Sequence, residues 1–225
     1  MRMQLIVNWV PYPMDSARRQ AQRAAVEKLL ELRPEWCRVV LAIMAGEEVP
    51  APTGHAVMLP RDSRTAGIGE RRLPFMKDIL DLHGATYIGF LNSDIVVTPE
   101  FFTDVERMLD ELVSLIIIHR TDVRHLDADP QQGRKVEPRR SCDGLIIQRS
   151  AWEAKKSQVP DFLLGAPWWD TAMIWWAMKS RLLTAHLHEH QCLHQLHERH
   201  WRWKDLESQH NARMMEQLTQ SYGKD

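Results

Sequence analysis

Three polar residues, Asn92, Ser93 and Asp94, interrupt an apolar, β-prone run that begins at Tyr87 and resumes at Ile95. An ionised carboxylate is costly to bury without a partner, so Asp94 needs one. Residues two apart in an extended chain point to the same face. One oxygen each from Asn92 and Asp94 could therefore hold a Mg2+ or Mn2+ ion that also binds phosphate. Alternatively, Asp94 caps the next helix or closes a turn through backbone N–H groups.

A second candidate for phosphate binding is the polar loop over residues 60–72, which contains two glycines and four arginines. Arginine is the preferred bidentate partner of phosphate, which makes Arg61 and Arg64 candidates for donor binding. The alternative is a solvated surface loop. Neither a P-loop nor a G-x-G-x-x-G sequence follows a strand, so neither of these nucleotide fingerprints applies.

A further carboxylate, Asp170, follows Pro167, and proline is favoured at the first position of a helix. Asp170 then lies in the first turn, where the helix dipole stabilises an acid whatever its function. The functional alternative is a carboxylate at the mouth of a helix, flanked by Trp168 and Trp169, whose flat faces suit the C–H face of a sugar ring.

Histidines concentrate towards the end of the chain, where seven of the eleven lie between His186 and His210. The HExxH pattern of helical zinc sites is absent, because the string reads HEHQC. In a helix, positions 186, 190, 194 and 197 would form a stripe, whereas in a strand positions 186, 188 and 190 would share a face. The pattern leaves this register open and predicts a metal ligand for one of these histidines.

The composition limits the class of protein. The 225 residues suffice for one large domain or a domain with an appendage. A formal net charge of −1 argues against nucleic acid as a partner, because phosphate binding leaves a basic footprint. No apolar run is long enough to cross a bilayer, and the first one is too short for a signal peptide. Three scattered cysteines without a CxxC pattern indicate a reducing compartment and predict a cytoplasmic protein.

Strands alternate with helices along the chain. Strands are predicted at residues 4–7, 38–44, 55–59, from 87, 114–119, 145–148 and 182–185. Helices are predicted at 17–32, 74–83, 98–112, from 150 and at 168–179, with a polar surface helix beyond about 204. Residues 120–140 are predicted to form a long mobile loop. This alternation predicts an α/β fold with a mostly parallel sheet and helices on both faces.

Ligands of such a sheet bind at the carboxyl ends of its strands. This rule brings together the loop after the first strand (residues 8–13), the arginine-rich loop and residues 92–94. The residues with notable chemistry are therefore predicted to share one edge of the sheet.

Taken in order across residues 4–203, these features resemble the nucleotide-diphosphosugar transferase fold, the GT-A type of glycosyltransferase. YIGFLNSDIVV is similar to the strand end that binds metal through an Asp-x-Asp-like motif. CDGLIIQRSAW resembles the later strand near the acceptor, and LLGAPWWDTAMIWWAM resembles the helix whose N-terminal acid faces the reacting sugar. HQLHERHW resembles the histidine segment that can complete the metal site.

The resemblance implies an α/β fold with a mostly parallel, mixed central sheet and helices on both faces. Residues 1–203 would form one domain, and residues 204–225 a polar helix or tail. The implied activity is transfer of a sugar from a nucleotide-diphosphosugar donor to a glycan or other hydroxyl acceptor, with Mn2+ or Mg2+ as cofactor. The segment 120–140 could close over the donor.

On the donor side, the resemblance assigns Asp94 as the main metal ligand and His194 or His197 as a late ligand. Asn92 stands where many relatives have an acid. Because an Asn supplies less charge, the site could bind metal weakly, bind only the metal–nucleotide or have lost activity.

On the acceptor side, the resemblance assigns Asp170 as the catalytic base or the residue that orients the acceptor. The other residues assigned to the acceptor are Asp143, Trp168 and Trp169. Asn8 and Pro11 are expected at the rim of the pocket for the nucleotide base.

Two other classes stay open. One is a catalytically silent GT-A-like protein that binds a nucleotide, a glycan or a protein partner, and that would bind nucleotide without turning over a donor. The other is a histidine-rich transition-metal protein, which would bind Zn2+ or Ni2+ through residues 186–200 and ignore nucleotides.

Overall fold

The computed structural model describes residues 1–10, 16–44, 55–82, 84–125, 133–135, 142–187, 189–196 and 201–222. The strands in these ranges are β1 (Met3–Asn8), β2 (Cys37–Ile43), β3 (Ala56–Met58), β4 (Tyr87–Leu91), β5 (Ile95–Val97), β6 (Leu115–Ile118), β7 (Thr121–Val123), β8 (Arg134–Lys135), β9 (Gly144–Gln148), β10 (Thr184–Leu187) and β11 (Cys192–Gln195). The α-helices are α1 (Ala17–Leu32), α2 (Met76–Leu80), α3 (Glu100–Asp110), α4 (Arg149–Lys155), α5 (Trp169–Ser180) and α6 (Leu206–Tyr222).

A seven-stranded sheet runs through the middle of the molecule in the order β10-β6-β9-β4-β1-β2-β3. Strands β3, β2, β1 and β4 are parallel to one another, and β6 and β10 are parallel to each other. Strand β9 lies between β4 and β6 and is antiparallel to both. The sheet is therefore mixed and mostly parallel, which confirms the predicted fold class.

Helices cover both faces of this sheet. Helices α1 and α3 pack on one face, and α2, α4, α5 and α6 pack on the other. Successive side chains of β1 point to opposite faces of the sheet, so both faces need helices to bury them. Leu5 and Val7 belong to the core on the side of α1 and α3, and Ile6 belongs to the core on the other side. Strands buried on both faces consist of continuous apolar residues, and these short apolar strings are what the sequence predicts as strands.

A second sheet, which the sequence does not predict, has the order β5-β11-β7-β8. The predicted strand that begins at Tyr87 breaks after Leu91, and residues 92–94 form a turn in which the Ile95 N–H donates to the Asn92 carbonyl at 3.3 Å. Strands β7 and β8 lie within residues 120–140, so the prediction of one continuous loop there is wrong. Residues 126–132 and 136–141 of that segment lie outside the described ranges.

The carboxyl-terminal helix α6 is packed against the domain rather than loosely attached. Its residues Glu207, Ser208, Asn211 and Leu218 are buried. The Asn211 side chain hydrogen-bonds the backbone of the segment that leads into α5. No helix in the described part of the chain combines the length and the apolar character that a bilayer span requires.

Candidate functional site

Five ionisable side chains meet at the carboxyl ends of β4 and β6, and we call them the carboxyl-edge cluster. Both sheets supply members, because β5, β11 and β7 lie side by side where β4 ends. Residue His194 of β11 lies opposite Ile95 of β5 on one side and opposite Asp122 of β7 on the other. The members of the cluster are Asp94, Arg120, Asp122, Asp143 and His194.

The His194 imidazole lies between two carboxylates. Its Nδ1 is 2.9 Å from Oδ1 of Asp122, and its Nε2 is 3.5 Å from Oδ2 of Asp94. Burial disfavours the charged imidazolium, but the hydrogen bonds to Asp122 and Asp94 outweigh burial and raise the pKa of His194 to about 9. His194 is therefore a buried residue that two acids from neighbouring strands hold in place.

Arg120 joins Asp122 to a third acid, Asp143. Its Nε donates to Oδ1 of Asp122 at 2.8 Å, and its Nη1 donates to Oδ1 of Asp143. Burial acts to lower the pKa of Arg120, yet the field of Asp143 and Asp122 leaves it raised. Burial acts to raise the pKa of Asp122, but His194 and Arg120 leave it lowered. The Asp122 carboxylate is thus held in its ionised form.

The cluster has an excess of negative charge. Three carboxylates face two cationic side chains, which leaves a net charge of −1 when His194 is protonated. The second oxygen of Asp143, Oδ2, is buried and has no hydrogen-bond partner among the described residues. An electrostatic site of this kind attracts a cation and repels a free diphosphate.

The turn that carries Asp94 is tied to β9 and to α1. The Asn92 side-chain amide donates to Oδ1 of Asp143 at 3.2 Å, and the Asn92 N–H donates to the Asp143 carbonyl at 2.9 Å. The Ser93 hydroxyl donates to Oε1 of Gln22 at 2.8 Å once the Gln22 amide is oriented to satisfy both of its ends. In that orientation the Gln22 amide also donates to the Val10 carbonyl at 2.9 Å and accepts from the Val10 N–H at 2.8 Å.

These contacts correct the predicted geometry of the Asn92–Asp94 pair. The prediction requires an extended strand, whereas residues 92–94 form a turn between strands of two different sheets. The Asn92 amide faces Asp143, where an acid would add repulsion between carboxylates. Asp94 and His194 are consequently the pair that can share a cation.

The structure supplies a direct test of whether a divalent cation fits. No group of three or more His, Cys, Asp or Glu side chains that could hold a metal occurs among the described residues. His197, the second histidine predicted as a ligand, lies outside those residues. Mg2+ and similar hard cations bind through one or two carboxylates and complete their shell with water and substrate phosphate, whereas imidazole is a ligand for transition metals. Asp94 fits the first mode of binding, and His194 is a candidate nitrogen ligand beside it for a transition-metal ion such as Mn2+.

Asp170 lies at the start of α5, as predicted, and is half-buried. Its Oδ1 accepts a hydrogen bond from the Thr171 N–H at 2.8 Å. Burial raises the pKa of Asp170 to about 6 against the opposing Thr171 bond, and the Asp143 carboxylate acts in the same direction as burial. A carboxylate with this pKa is mostly ionised at neutral pH and can still accept a proton.

The two tryptophans predicted at the acceptor have different environments. Trp168 is half-buried, has a left-handed φ of 82° and lies 5.8 Å from the ring of Trp203. Trp169 is buried in the core, where its ring packs edge to face on Phe90 at 5.5 Å. Burial removes the flat face of Trp169 from the surface, so only Trp168 retains an exposed part that a sugar could contact.

The residues predicted to bind the donor also differ in their environments. Asn8 ends β1 and is buried, and its Oδ1 has no partner among the described residues. Pro11 lies outside those residues. Arg61 donates to Asp78 of α2 and to Asp161 and lies over the ring of Phe75, so its charge ties the loop to the rest of the domain.

Arg64, by contrast, is exposed to solvent, which leaves it as a candidate for phosphate contact.

Sequence reasoning missed Arg120 and Asp122. Both fall in the segment that polarity alone predicts to be a loop, and their partners lie 23 and 72 residues further along the chain. A usable signal was the alternation of the charged residues Arg120 and Asp122 with the β-branched residues Thr121 and Val123 after the apolar strand β6.

The sequence matches no protein-family model and no curated protein. Solved structures are similar over most of the chain. Staphylococcus aureus TarS (residues 1–349) in complex with UDP-GlcNAc has a TM-score of 0.58 at 14% identity, covering 88% of this chain and 59% of that one. A mannosyltransferase from Pyrobaculum calidifontis, PcManGT, in complex with GDP-Man and Mn2+ has a TM-score of 0.57 at 10% identity, covering 100% and 64%.

These similarities show that the chain has a GT-A-type glycosyltransferase fold. At 14% and 10% identity, they describe the fold alone. The chain spans about three fifths of the length of these structures.

Proposed function

We propose that this protein is a glycosyltransferase that takes a sugar from a nucleotide-diphosphosugar and transfers it to an acceptor hydroxyl with the help of Mn2+ or Mg2+. The observation that carries the proposal is the carboxyl-edge cluster with Asp170 beside it, at the edge of a GT-A-type sheet where ligands are expected. The similar structures contain UDP-GlcNAc, or GDP-Man with Mn2+, which supports a nucleotide-sugar donor.

On the donor side, Asp94 and His194 would hold the divalent cation, which when bound supplies positive charge to the leaving diphosphate. The residues of this chain then orient the donor. Arg64 is a candidate for contact with a phosphate, and Asn8, whose buried Oδ1 lacks a partner, is a candidate for the base pocket. Arg120 helps to keep Asp122 ionised and holds the side chains of Asp122 and Asp143 in place beside the donor.

On the acceptor side, Asp170 would act as the general base of an inverting transfer. Its carboxylate takes the proton of the acceptor hydroxyl while the oxygen bonds to the anomeric carbon. The bond between that carbon and the diphosphate oxygen breaks, and its electron pair leaves with the diphosphate. The pKa of about 6 suits this role, because Asp170 is ionised before the reaction and can hold the proton afterwards. Trp168 and Asp143 would border the acceptor.

The histidine-rich alternative has less support in the described residues. His194 lies in the second sheet, whereas His186 lies in β10 of the central sheet and contacts His119. The catalytically silent alternative differs from the proposal only in turnover, so the experiment has to measure turnover as well as binding.

The experiment is thermal unfolding with UDP, GDP, CDP and ADP, each with and without Mn2+, followed by release of sugar from the donor that corresponds to the nucleotide that binds. A ligand that binds only the folded state raises the unfolding midpoint. We expect one nucleotide to raise it, with a larger effect when Mn2+ is present. Asp94→Ala should lose that Mn2+-dependent increment, while Asp110→Ala, which removes an exposed carboxylate on α3, should retain it.

No shift with any nucleotide, together with a shift by Zn2+ alone, would contradict the proposal and favour the transition-metal alternative. A nucleotide shift without sugar release or transfer would favour the silent alternative.

The cytoplasmic location stays a prediction. It is supported by the three cysteines, Cys37, Cys142 and Cys192, which are all buried and free, as a reducing compartment allows.

A further inference from the structure

We propose that Asp122 is a positioning residue for the cation site, which orients His194 so that its Nε2 faces the cation held with Asp94. The inference rests on the proposed function, because it concerns the same donor site. It assigns a role to a residue that no sequence motif marks, and it explains why a partly buried acid pairs with both His194 and Arg120.

The distances among Asp122, His194 and Asp94 show which nitrogen of His194 each acid contacts and how closely. The Asp122 contact to Nδ1 of His194, at 2.9 Å, is a full hydrogen bond, whereas Nε2 and Asp94 are 3.5 Å apart. The Nδ1–H is thus held by Asp122, and the Nε2 proton is the one that a cation would replace. Nε2 of His194 and Oδ2 of Asp94, at 3.5 Å, are close to the spacing that a shared cation requires. Adjacent octahedral ligands at about 2.1 Å from Mg2+ lie ~3.0 Å apart.

The strands enforce this arrangement. His194 and Asp122 are directly opposite each other in the parallel pair β11 and β7, and Asp94 immediately precedes Ile95, which is opposite His194 in β5. The three side chains therefore come from three neighbouring strands or their ends. A carboxylate that holds one ring nitrogen while the other binds metal is a recurring arrangement in metal sites, and it fixes both the ring orientation and its basicity.

Arg120 holds the orienting carboxylate in turn. It donates to the same oxygen, Oδ1 of Asp122, that accepts from His194. This oxygen therefore accepts from two N–H donors, which separates the orienting role of Asp122 from the ligand role of Asp94. Arg120 also reaches Asp143, so the donor and acceptor sides of the site share one network.

The test is the affinity of the full-length protein for Mn2+ alone, measured from the electron paramagnetic resonance signal of free Mn2+. We expect Asp122→Ala to weaken Mn2+ binding by about 10- to 100-fold, the usual effect of losing such a partner. Asp122→Asn should weaken it less, because the amide oxygen can still accept from Nδ1–H. The double variant Asp122→Ala/His194→Ala should bind no more weakly than His194→Ala, since a positioning residue acts only through the residue it orients.

A spectroscopic signature separates positioning from general electrostatics. Electron spin echo modulation of bound Mn2+ should detect a directly bonded nitrogen in the natural protein and lose it in His194→Ala. In Asp122→Ala, Mn2+ that still binds through Asp94 should show that nitrogen signal weakened or lost. The matched control is Asp62→Asn, which alters another buried, arginine-paired aspartate outside the cluster and should leave affinity and signal unchanged.

Circular dichroism and the unfolding midpoint confirm that each variant is folded. Should an alanine variant fail to fold, Asp122→Asn is the variant on which the comparison rests.

Natural affinity and an intact nitrogen signal in Asp122→Ala would overturn the inference and leave the proposed function standing. Additive losses in the double variant would also overturn it, because they mean that Asp122 acts through its charge rather than through His194. If the natural protein binds no Mn2+, the inference fails. The nucleotide experiment without metal then decides separately whether the proposed function survives.

Discussion

An aspartate is a more effective proton acceptor near neutral pH when its surroundings oppose its usual strong acidity. For Asp170, burial at the start of α5 has this effect, and the carboxylate of Asp143 adds to it. The helix dipole and the Thr171 N–H favour the ionised form, and they keep the pKa at about 6 rather than higher. The two opposing influences produce a residue that can both take up and release a proton.

This balance predicts the pH dependence of sugar transfer. Below pH 6, Asp170 is protonated and cannot accept the proton of the acceptor, so kcat/KM should fall about tenfold for each further pH unit. Asp170→Asn should lower kcat by about 10^2- to 10^4-fold and remove this acidic limb. The measurement is the pH–rate profile with the donor that thermal unfolding identifies.

The stability of the Asp170→Asn variant provides the control. Because the folded-state pKa of Asp170 lies above its ordinary value of 3.8, ionisation of this residue costs the folded protein stability as pH rises from about 4 to 6, and the cost persists above pH 6. The unfolding midpoint of Asp170→Asn at pH 7 should therefore equal or exceed that of the natural protein. A lower midpoint would mean that Asp170 stabilises the fold and that lost activity reports unfolding.

Local sequence patterns predict the roles of some of these residues and not of others. Asp170 could be predicted because Pro167, two residues before α5 begins at Trp169, signals a nearby helix start. The importance of Asp122 could not, because its partner His194 is 72 residues away and no local pattern encodes that pairing. Arg61 shows the opposite error, since its residue type suggests phosphate, while its ion pairs with Asp78 and Asp161 tie it to α2 and to the segment before α5.

At the scale of whole elements, α6 anchors the segment that leads into α5. The Asn211 side chain is fully buried; its Oδ1 accepts from the Leu163 N–H, and its amide donates to the Leu163 and Pro167 carbonyls at 2.8 and 2.9 Å. Glu207, on the first turn of α6, accepts from the Arg71 N–H at 3.0 Å. One helix thus fixes both the segment before Asp170 and the arginine-rich loop.

Asn211→Ala should destabilise the protein because it leaves buried backbone groups at Leu163 and Pro167 without partners. We expect a loss of about 3 kcal/mol in the free energy of unfolding and a midpoint lower by roughly 6–12 °C. Gln209→Ala, an exposed substitution on the same helix, is the control and should change the midpoint by less than about 2 °C. Equal effects of the two substitutions would show that α6 does not hold the α5 segment in place.

Elements with local start and stop signals are predictable, and elements defined by distant pairing are not. The sequence predicts α1 at its observed bounds because Ser16 caps it, its side chain accepting from the Arg19 N–H, and Pro34 follows its end. The break between β4 and β5 is not predictable in the same way. Both strands are apolar, and the change of sheet depends on the pairing of β5 with β11, about 97 residues later.

For the molecule as a whole, the fold is retained with 14% or fewer identical residues relative to the similar structures. Such similarity reflects a shared pattern of buried strands and helices rather than shared side chains. The cluster gathers residues from positions 94 to 194, so it exists only when both sheets are assembled. Site and fold should consequently be lost together.

The three buried thiols test whether the domain unfolds as one unit. Cys37 lies in β2, Cys142 precedes β9, and Cys192 begins β11 of the second sheet. Burial raises the pKa of Cys37 to about 12 and also raises that of Cys142 and Cys192, so little reactive thiolate exists in the folded protein. Alkylation should therefore require unfolding.

We expect iodoacetamide to label all three cysteines with the same dependence on urea concentration, quantified for each residue by mass spectrometry of peptides. Labelling should become rapid for each thiol in fully denaturing urea, which controls for intrinsic reactivity. Labelling of Cys192 at lower urea than Cys37 and Cys142 would mean that the second sheet opens by itself. The cation site would then be lost before the central sheet unfolds, because His194 lies in the same strand as Cys192.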